Sequence, residues 1–63
     1  MSLRHERVSK GWTMQYVAER AGITKQSVYD LEVGRRNPSY KVVLALEDLF
    51  KKNHRELFQG HDE

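Results

Sequence analysis

Basic side chains are the largest class of groups that could do chemistry in this 63-residue sequence, with 11 Lys and Arg, and they suit the binding of an anion. Residues 1–41 carry eight Lys and Arg against four Asp and Glu, whereas residues 42–63 carry three against five. The first part is therefore basic and the second acidic, within a formal net charge of +2. This asymmetry favours one face that meets a polyanion, although a mixed solvated surface gives the same totals.

Three predicted helices begin without an acidic residue in their first turn. They start at Thr13, Thr24 and Ser39, which are good N-cap residues. Asp and Glu are normally favoured at this position, because a helix N-terminus carries partial positive charge. Where acidic residues are absent, the free backbone amides can donate hydrogen bonds to phosphate oxygens. The alternative explanation is that acidic residues are absent from these turns by chance, in a chain with 32% charged residues.

Catalytic and metal-binding patterns are missing from the sequence. The histidines, His5, His54 and His61, lie on different segments without the i,i+4 spacing of a zinc site. There is no cysteine, no glycine-rich phosphate loop and no nucleophile elbow. We therefore predict that the protein is not an enzyme and that it binds no metal, cofactor or small-molecule ligand.

Glycines and one proline divide the chain into five short helical segments. The apolar spacing predicts helices at about 3–10, 13–20, 24–33 and 39–52, followed by a short helix that Asn53 caps. No stretch alternates apolar and polar residues as a strand does. The sequence predicts an all-α fold, a compact five-helix bundle in one domain over residues 1–63.

No segment of the sequence could cross or target a membrane. The longest apolar run, residues 42–46, has five residues, whereas a membrane-spanning helix needs about 20. The first residues lack the apolar core of a signal peptide, and the absence of cysteine fits a reducing compartment. We expect a cytoplasmic protein with no membrane partner.

The most specific pattern in the chain lies at about residues 13–33. Two helices are joined by a short turn in which Gly22 tolerates a positive φ, Ile23 fills the corner, and Ala18 lets the helices cross closely. The positions that make the pattern are Val17, Ala18, Gly22, Ile23, Val28 and Leu31. Each alone fits an ordinary αα-corner, but together they indicate a helix-turn-helix, whose second helix enters a DNA major groove.

The sequence resembles the lambda-repressor-like DNA-binding domains, which include phage repressors, Cro proteins and related XRE-type bacterial regulators. The resemblance covers about residues 3–58. The matching text is Arg7-x-x-Lys10-Gly11-Trp12-Thr13, Val17-Ala18-x-x-Ala21-Gly22-Ile23 and Ser27-Val28-x-x-Leu31-Glu32-x-Gly34-x-Arg36-x-Pro38-Ser39. It implies a five-helix fold and sequence-specific binding to double-stranded DNA.

The resemblance implies a transcriptional regulator, and we expect a repressor that binds a two-fold operator as a homodimer. A small module makes few base contacts, so doubling them raises specificity. Leu57 and Phe58 of the last helix are the expected dimer surface, unless they close the monomer core instead. The alternative is a protein-interaction module, such as an antitoxin or regulatory subunit, that engages a protein partner through its C-terminal helix.

By the same resemblance, the start of the third helix contacts base edges. The expected contacts are Lys25, Gln26, Ser27, Tyr29 and Asp30. Lysine donates to guanine, and glutamine forms two hydrogen bonds with adenine. Asp30 suits a cytosine amine or the repulsion of a misplaced phosphate, and Tyr29 suits a thymine methyl or a phosphate.

Phosphate contacts are expected at the helix starts and in the loop after the third helix. They are Thr13, Gln15, Thr24, Arg35, Arg36, Asn37, Ser39 and Lys41. Many family members have a glutamine where this chain has Met14, which lacks a strong donor, so that phosphate contact depends on the backbone amide. Arg7 and Glu32 match an internal salt bridge of phage repressors, and we assign them to structure.

Overall fold

The computed structural model describes residues 2–58, and these residues form five helices and no strand. The helices are α1 (Leu3–Ser9), α2 (Met14–Ala21), α3 (Lys25–Glu32), α4 (Tyr40–Phe50) and α5 (His54–Phe58). The predicted all-α, five-helix fold is confirmed. The predicted ends of the first four helices lie within two residues of the observed ones.

Side-chain caps determine where α2, α3 and α4 begin. The hydroxyl oxygens of Thr13, Thr24 and Ser39 each accept a hydrogen bond from the backbone amide three residues on, at 3.0, 3.0 and 3.3 Å. Each bond satisfies one of the free amides at a helix start. Gly22 ends α2 in the left-handed conformation, with φ at 74°. The cap at Thr24 and the glycine at 22 together produce the short turn between α2 and α3.

Apolar side chains from all five helices form one core. The buried members are Leu3, Val17, Ala18, Val28, Leu31, Leu46, Phe50 and Leu57. Removing such side chains from water stabilises the fold by about 25 cal/mol for each Å² of apolar surface. Ala18 is fully buried, in keeping with the prediction that a small residue lets α2 and α3 cross closely. The core therefore fixes the angle at which α3 leaves the turn.

The C-terminal helix closes this core. Leu57 is fully buried, and Phe58 is partly buried against the same cluster. The expectation that Leu57 forms a dimer surface is wrong, because its side chain has no exposed area with which to contact a second chain. The other possibility considered for this residue, packing within the monomer, is the one that the structure shows.

Glu6 is a polar exception among the buried residues. It is 3% exposed, and its Oε2 atom is buried without a hydrogen-bond partner within residues 2–58. A buried acceptor without a partner loses its hydration and gains nothing in return, at about 1–3 kcal/mol. We therefore predict that Glu6→Leu raises the free energy of unfolding by about 1–3 kcal/mol.

Urea titration followed by circular dichroism measures this change. His5→Leu is the matched control, because His5 is the exposed neighbour of Glu6 on α1, and it should leave the stability nearly unchanged. A Glu6→Leu variant less stable than the parent would contradict the cost assigned to the buried carboxylate.

Candidate nucleic-acid interface

The first residues of α3 lie beside the start of α2. Met14 of α2 and Lys25, Gln26 and Tyr29 of α3 line one cleft of about 400 Å³. The three α3 residues are exposed, whereas Met14 is half-buried and packs against the core. Three of the predicted base contacts therefore share one surface with the N-terminus of α2.

The loop between α3 and α4 extends this surface. Arg36 Nη1 donates a hydrogen bond to Ser27 Oγ at 3.2 Å, and the Thr24 hydroxyl donates to the same oxygen at 2.9 Å. Ser27, Arg36 and Asn37 line a second cleft, of about 280 Å³, which also includes the cap of α4. The structure thus places Ser27, predicted to contact a base, with the predicted phosphate contacts of the loop.

Asp30 connects two other predicted DNA contacts. Gln26 Nε2 donates to Asp30 Oδ1 at 3.1 Å, and Arg35 Nη1 lies 3.8 Å from the same oxygen. The Asp30 side chain is only 13% exposed, while that of Arg35 is largely exposed. Asp30 is therefore placed to orient Gln26 and to hold Arg35 beside α3. This role differs from the base contact predicted for Asp30, although the i,i+4 spacing of Gln26 and Asp30 already favours a contact between them.

All eight predicted phosphate contacts are exposed, as ligands of a large polyanion must be. Three of them, Thr13, Thr24 and Ser39, also cap their helices. Gln15 donates to Glu19 Oε2 at 2.9 Å along α2, and Lys41 lies in the first turn of α4. No acidic residue occupies the first turn of α2, α3 or α4, so the partial positive charge of each helix start is not offset locally.

A buried ion pair holds the end of α3 against α1. Arg7 Nε lies 2.6 Å from Glu32 Oε2, and Arg7 Nη2 donates to Glu32 Oε1 at 3.3 Å. Arg7 Nη1 also donates to the carbonyl oxygen of Trp12 at 2.9 Å. The two side chains are 10% and 3% exposed. The pair therefore joins α1, the start of the helix-turn-helix and the end of α3. It holds α3 in position, but it is buried and is not part of the exposed surface.

The part of the chain that the structure describes gives no support for a metal site or for a membrane-spanning helix. Within residues 2–58 there is no group of three or more His, Asp or Glu that could hold a metal ion. In the same range, no helix is both long and apolar enough to cross a membrane.

Comparisons with known proteins agree with this geometry. The model of the helix-turn-helix family matches residues 3–57. Over 44 residues the chain is 41% identical to the HTH-type transcriptional regulator AnsR of Bacillus subtilis (strain 168), an alignment that covers 70% of this chain and 38% of that protein. The chain therefore spans less than two-fifths of the length of this relative. No solved structure matches. The family match over most of the chain, on a structure with the α2–turn–α3 geometry, shows that this protein belongs to the XRE-type, lambda-repressor-like helix-turn-helix DNA-binding family.

Proposed function

We propose that this protein is a cytoplasmic transcriptional repressor that binds a two-fold DNA operator as a homodimer. The observation that carries the proposal is one continuous exposed surface, formed by the start of α3 and the loop that follows it. Lys25 and Gln26 offer hydrogen bonds to base edges on this surface, and Arg35 and Arg36 offer cationic groups for phosphates. Such a division between base contacts and phosphate contacts is what specific DNA binding requires.

Among the proposed base contacts, Gln26 has a side-chain amide that is already oriented by a hydrogen bond to Asp30. A carboxylate only accepts hydrogen bonds, so the bond to Asp30 fixes which end of the Gln26 amide is the nitrogen. The amide then keeps its oxygen and one N–H for a partner. Those two groups match the N6 donor and N7 acceptor that adenine presents in the major groove. Asp30 therefore acts on the base through Gln26, as a positioning residue.

The proposed dimer needs a surface other than Leu57. Tyr40 and Leu44 are exposed apolar residues, and Tyr40 is 78% exposed. They are four residues apart on α4 and therefore share one face of that helix. We place the second copy of the chain on this face. Sedimentation of the parent should show a dimer, and Leu44→Lys should shift it towards monomer while its circular dichroism spectrum remains that of a folded helical protein. A parent that sediments as a monomer at operator-binding concentrations would contradict the homodimer.

We expect Arg36→Ala to weaken binding to all DNA sequences by a similar factor, because a phosphate contact carries no sequence information. The slope of log K against log salt concentration should become shallower by about two units, because a homodimer loses two phosphate contacts and releases about two fewer counterions. Titrations at several salt concentrations measure both effects. Arg55→Ala removes the same charge from α5 and should leave the slope unchanged. An Arg36→Ala variant with the parent's slope and affinity would reject this contact.

Selection of bound sequences from a random pool of double-stranded DNA tests the function as a whole. We expect two inverted half-sites whose centres are about one helical turn apart. A single enriched half-site would contradict the two-fold operator. If no sequence is enriched, the proposal of specific DNA binding is overturned and the protein-interaction alternative is favoured.

A further inference from the structure

We propose that Met14 and Tyr29 form an apolar slot that recognises thymine by its C5-methyl group. The slot is the cleft at the start of α2 and α3, which these two residues line together with Lys25 and Gln26. The inference rests on the proposed DNA binding and extends it, because it assigns a base-discriminating role to a residue of α2 as well as to α3.

The size and position of Tyr29 are not explained by the core. Its neighbours Val28 and Leu31 supply the buried face of α3, whereas Tyr29 is 42% exposed and turned towards the cleft. Met14 lines the same cleft, and it is held in place because it also packs against the core. Two side chains with large apolar surfaces thus face one opening on an otherwise polar part of the protein.

The chemical character of the cleft residues limits which groups the cleft can bind. Methionine has no hydrogen-bond donor and only a weakly accepting sulfur, so Met14 cannot replace a donor to phosphate. The unbranched, polarisable thioether adapts well to a small apolar group. In the major groove the base edges present one such group, the C5-methyl of thymine, beside their hydrogen-bonding atoms. Lys25 and Gln26 border the slot and place hydrogen-bond donors next to it, for the neighbouring base pairs.

Replacing thymine by deoxyuridine tests the inference, because this change removes only the methyl group. Each thymine of the selected operator is replaced in turn, and affinity is measured for the parent and its variants. For the parent we expect about a fourfold loss at one position per half-site, the equivalent of one buried methylene-sized group. Replacement in both half-sites of a symmetric operator should give about a fifteenfold loss.

Two variants connect this effect to the cleft. Met14→Gln keeps the length of the side chain but makes it polar, and Tyr29→Ala removes an exposed ring that the core does not need. Both should bind thymine and deoxyuridine operators equally at that position. Tyr29→Phe keeps the ring and should retain most of the parent's discrimination. Melting temperatures near that of the parent establish that the variants are folded. If Met14→Gln does not fold, Tyr29→Ala alone tests whether the cleft recognises the methyl group.

The outcomes separate this inference from the proposed function. If the random pool yields no operator, specific DNA binding itself fails. If an operator is found but no thymine in it is sensitive to loss of the methyl, the slot is refuted. A sensitivity that persists in both Met14→Gln and Tyr29→Ala also refutes it, because the methyl then contacts another residue.

Discussion

Glu32→Ala is expected to lower the free energy of unfolding by about 3–5 kcal/mol. The change leaves the Arg7 guanidinium buried, with its bond to the Trp12 carbonyl oxygen but without its counter-charge. An uncompensated buried cation is much more costly than the loss of an exposed ion pair. A domain of this length has a total stability of only about 3–9 kcal/mol, on the usual per-residue scale. Much of the variant should therefore be unfolded at room temperature.

Thermal and urea unfolding followed by circular dichroism measure this effect. Arg35→Ala is the control, because it removes a largely exposed cation whose contact with Asp30 is long, at 3.8 Å, and it should change stability by less than about 1 kcal/mol. In the double variant Arg7→Met with Glu32→Leu, both charges are gone, and most of the lost stability should return. A Glu32→Ala variant that melts with the parent would show that the pair contributes little.

Gln26→Ala is expected to abolish most of the preference for one base in each half-site. A lost pair of hydrogen bonds to adenine reduces discrimination by about 1–3 kcal/mol, and a symmetric dimer loses it twice. Gln26 is exposed and is not part of the core, so the variant should fold as the parent does. Binding to non-specific DNA, which depends on phosphate contacts, should remain nearly intact.

Binding to a library of single-base operator variants measures the preference of parent and variant. Lys25→Ala provides the comparison: it should relax a neighbouring position and, because it removes a charge, also weaken binding to all sequences. Asp30→Ala should reduce the preference at the Gln26 position without removing it, because the amide is still present but is no longer oriented. Identical preference profiles for the parent and Gln26→Ala would exclude Gln26 from base recognition. An equal loss of affinity for all DNA sequences would show instead that Gln26 contacts the phosphate backbone.

The sequence by itself determined the features that depend on neighbours along the chain. The caps at Thr13, Thr24 and Ser39 act over three residues, and the left-handed conformation of Gly22 follows from its missing side chain. The helix starts, the short turn and the spacing of Val28 and Leu31 could therefore be predicted. The resemblance to a known family added the pairing of Arg7 with Glu32, which are 25 residues apart in sequence.

Only the tertiary structure decided how elements distant in sequence share their surfaces. Leu57 is apolar whether it closes the core or meets a second chain, and its burial depends on the packing of α5 against the rest of the bundle. Composition shows Met14 and Tyr29 as two unrelated apolar residues, and it is the crossing of α2 and α3 that brings them to one cleft. Asp30 was predicted as a possible base contact, but the fold directs its carboxylate to Gln26 and Arg35. Local spacing fixes the positions of side chains along a helix, whereas their partners depend on the angles between helices, and those angles are set by the whole core at once.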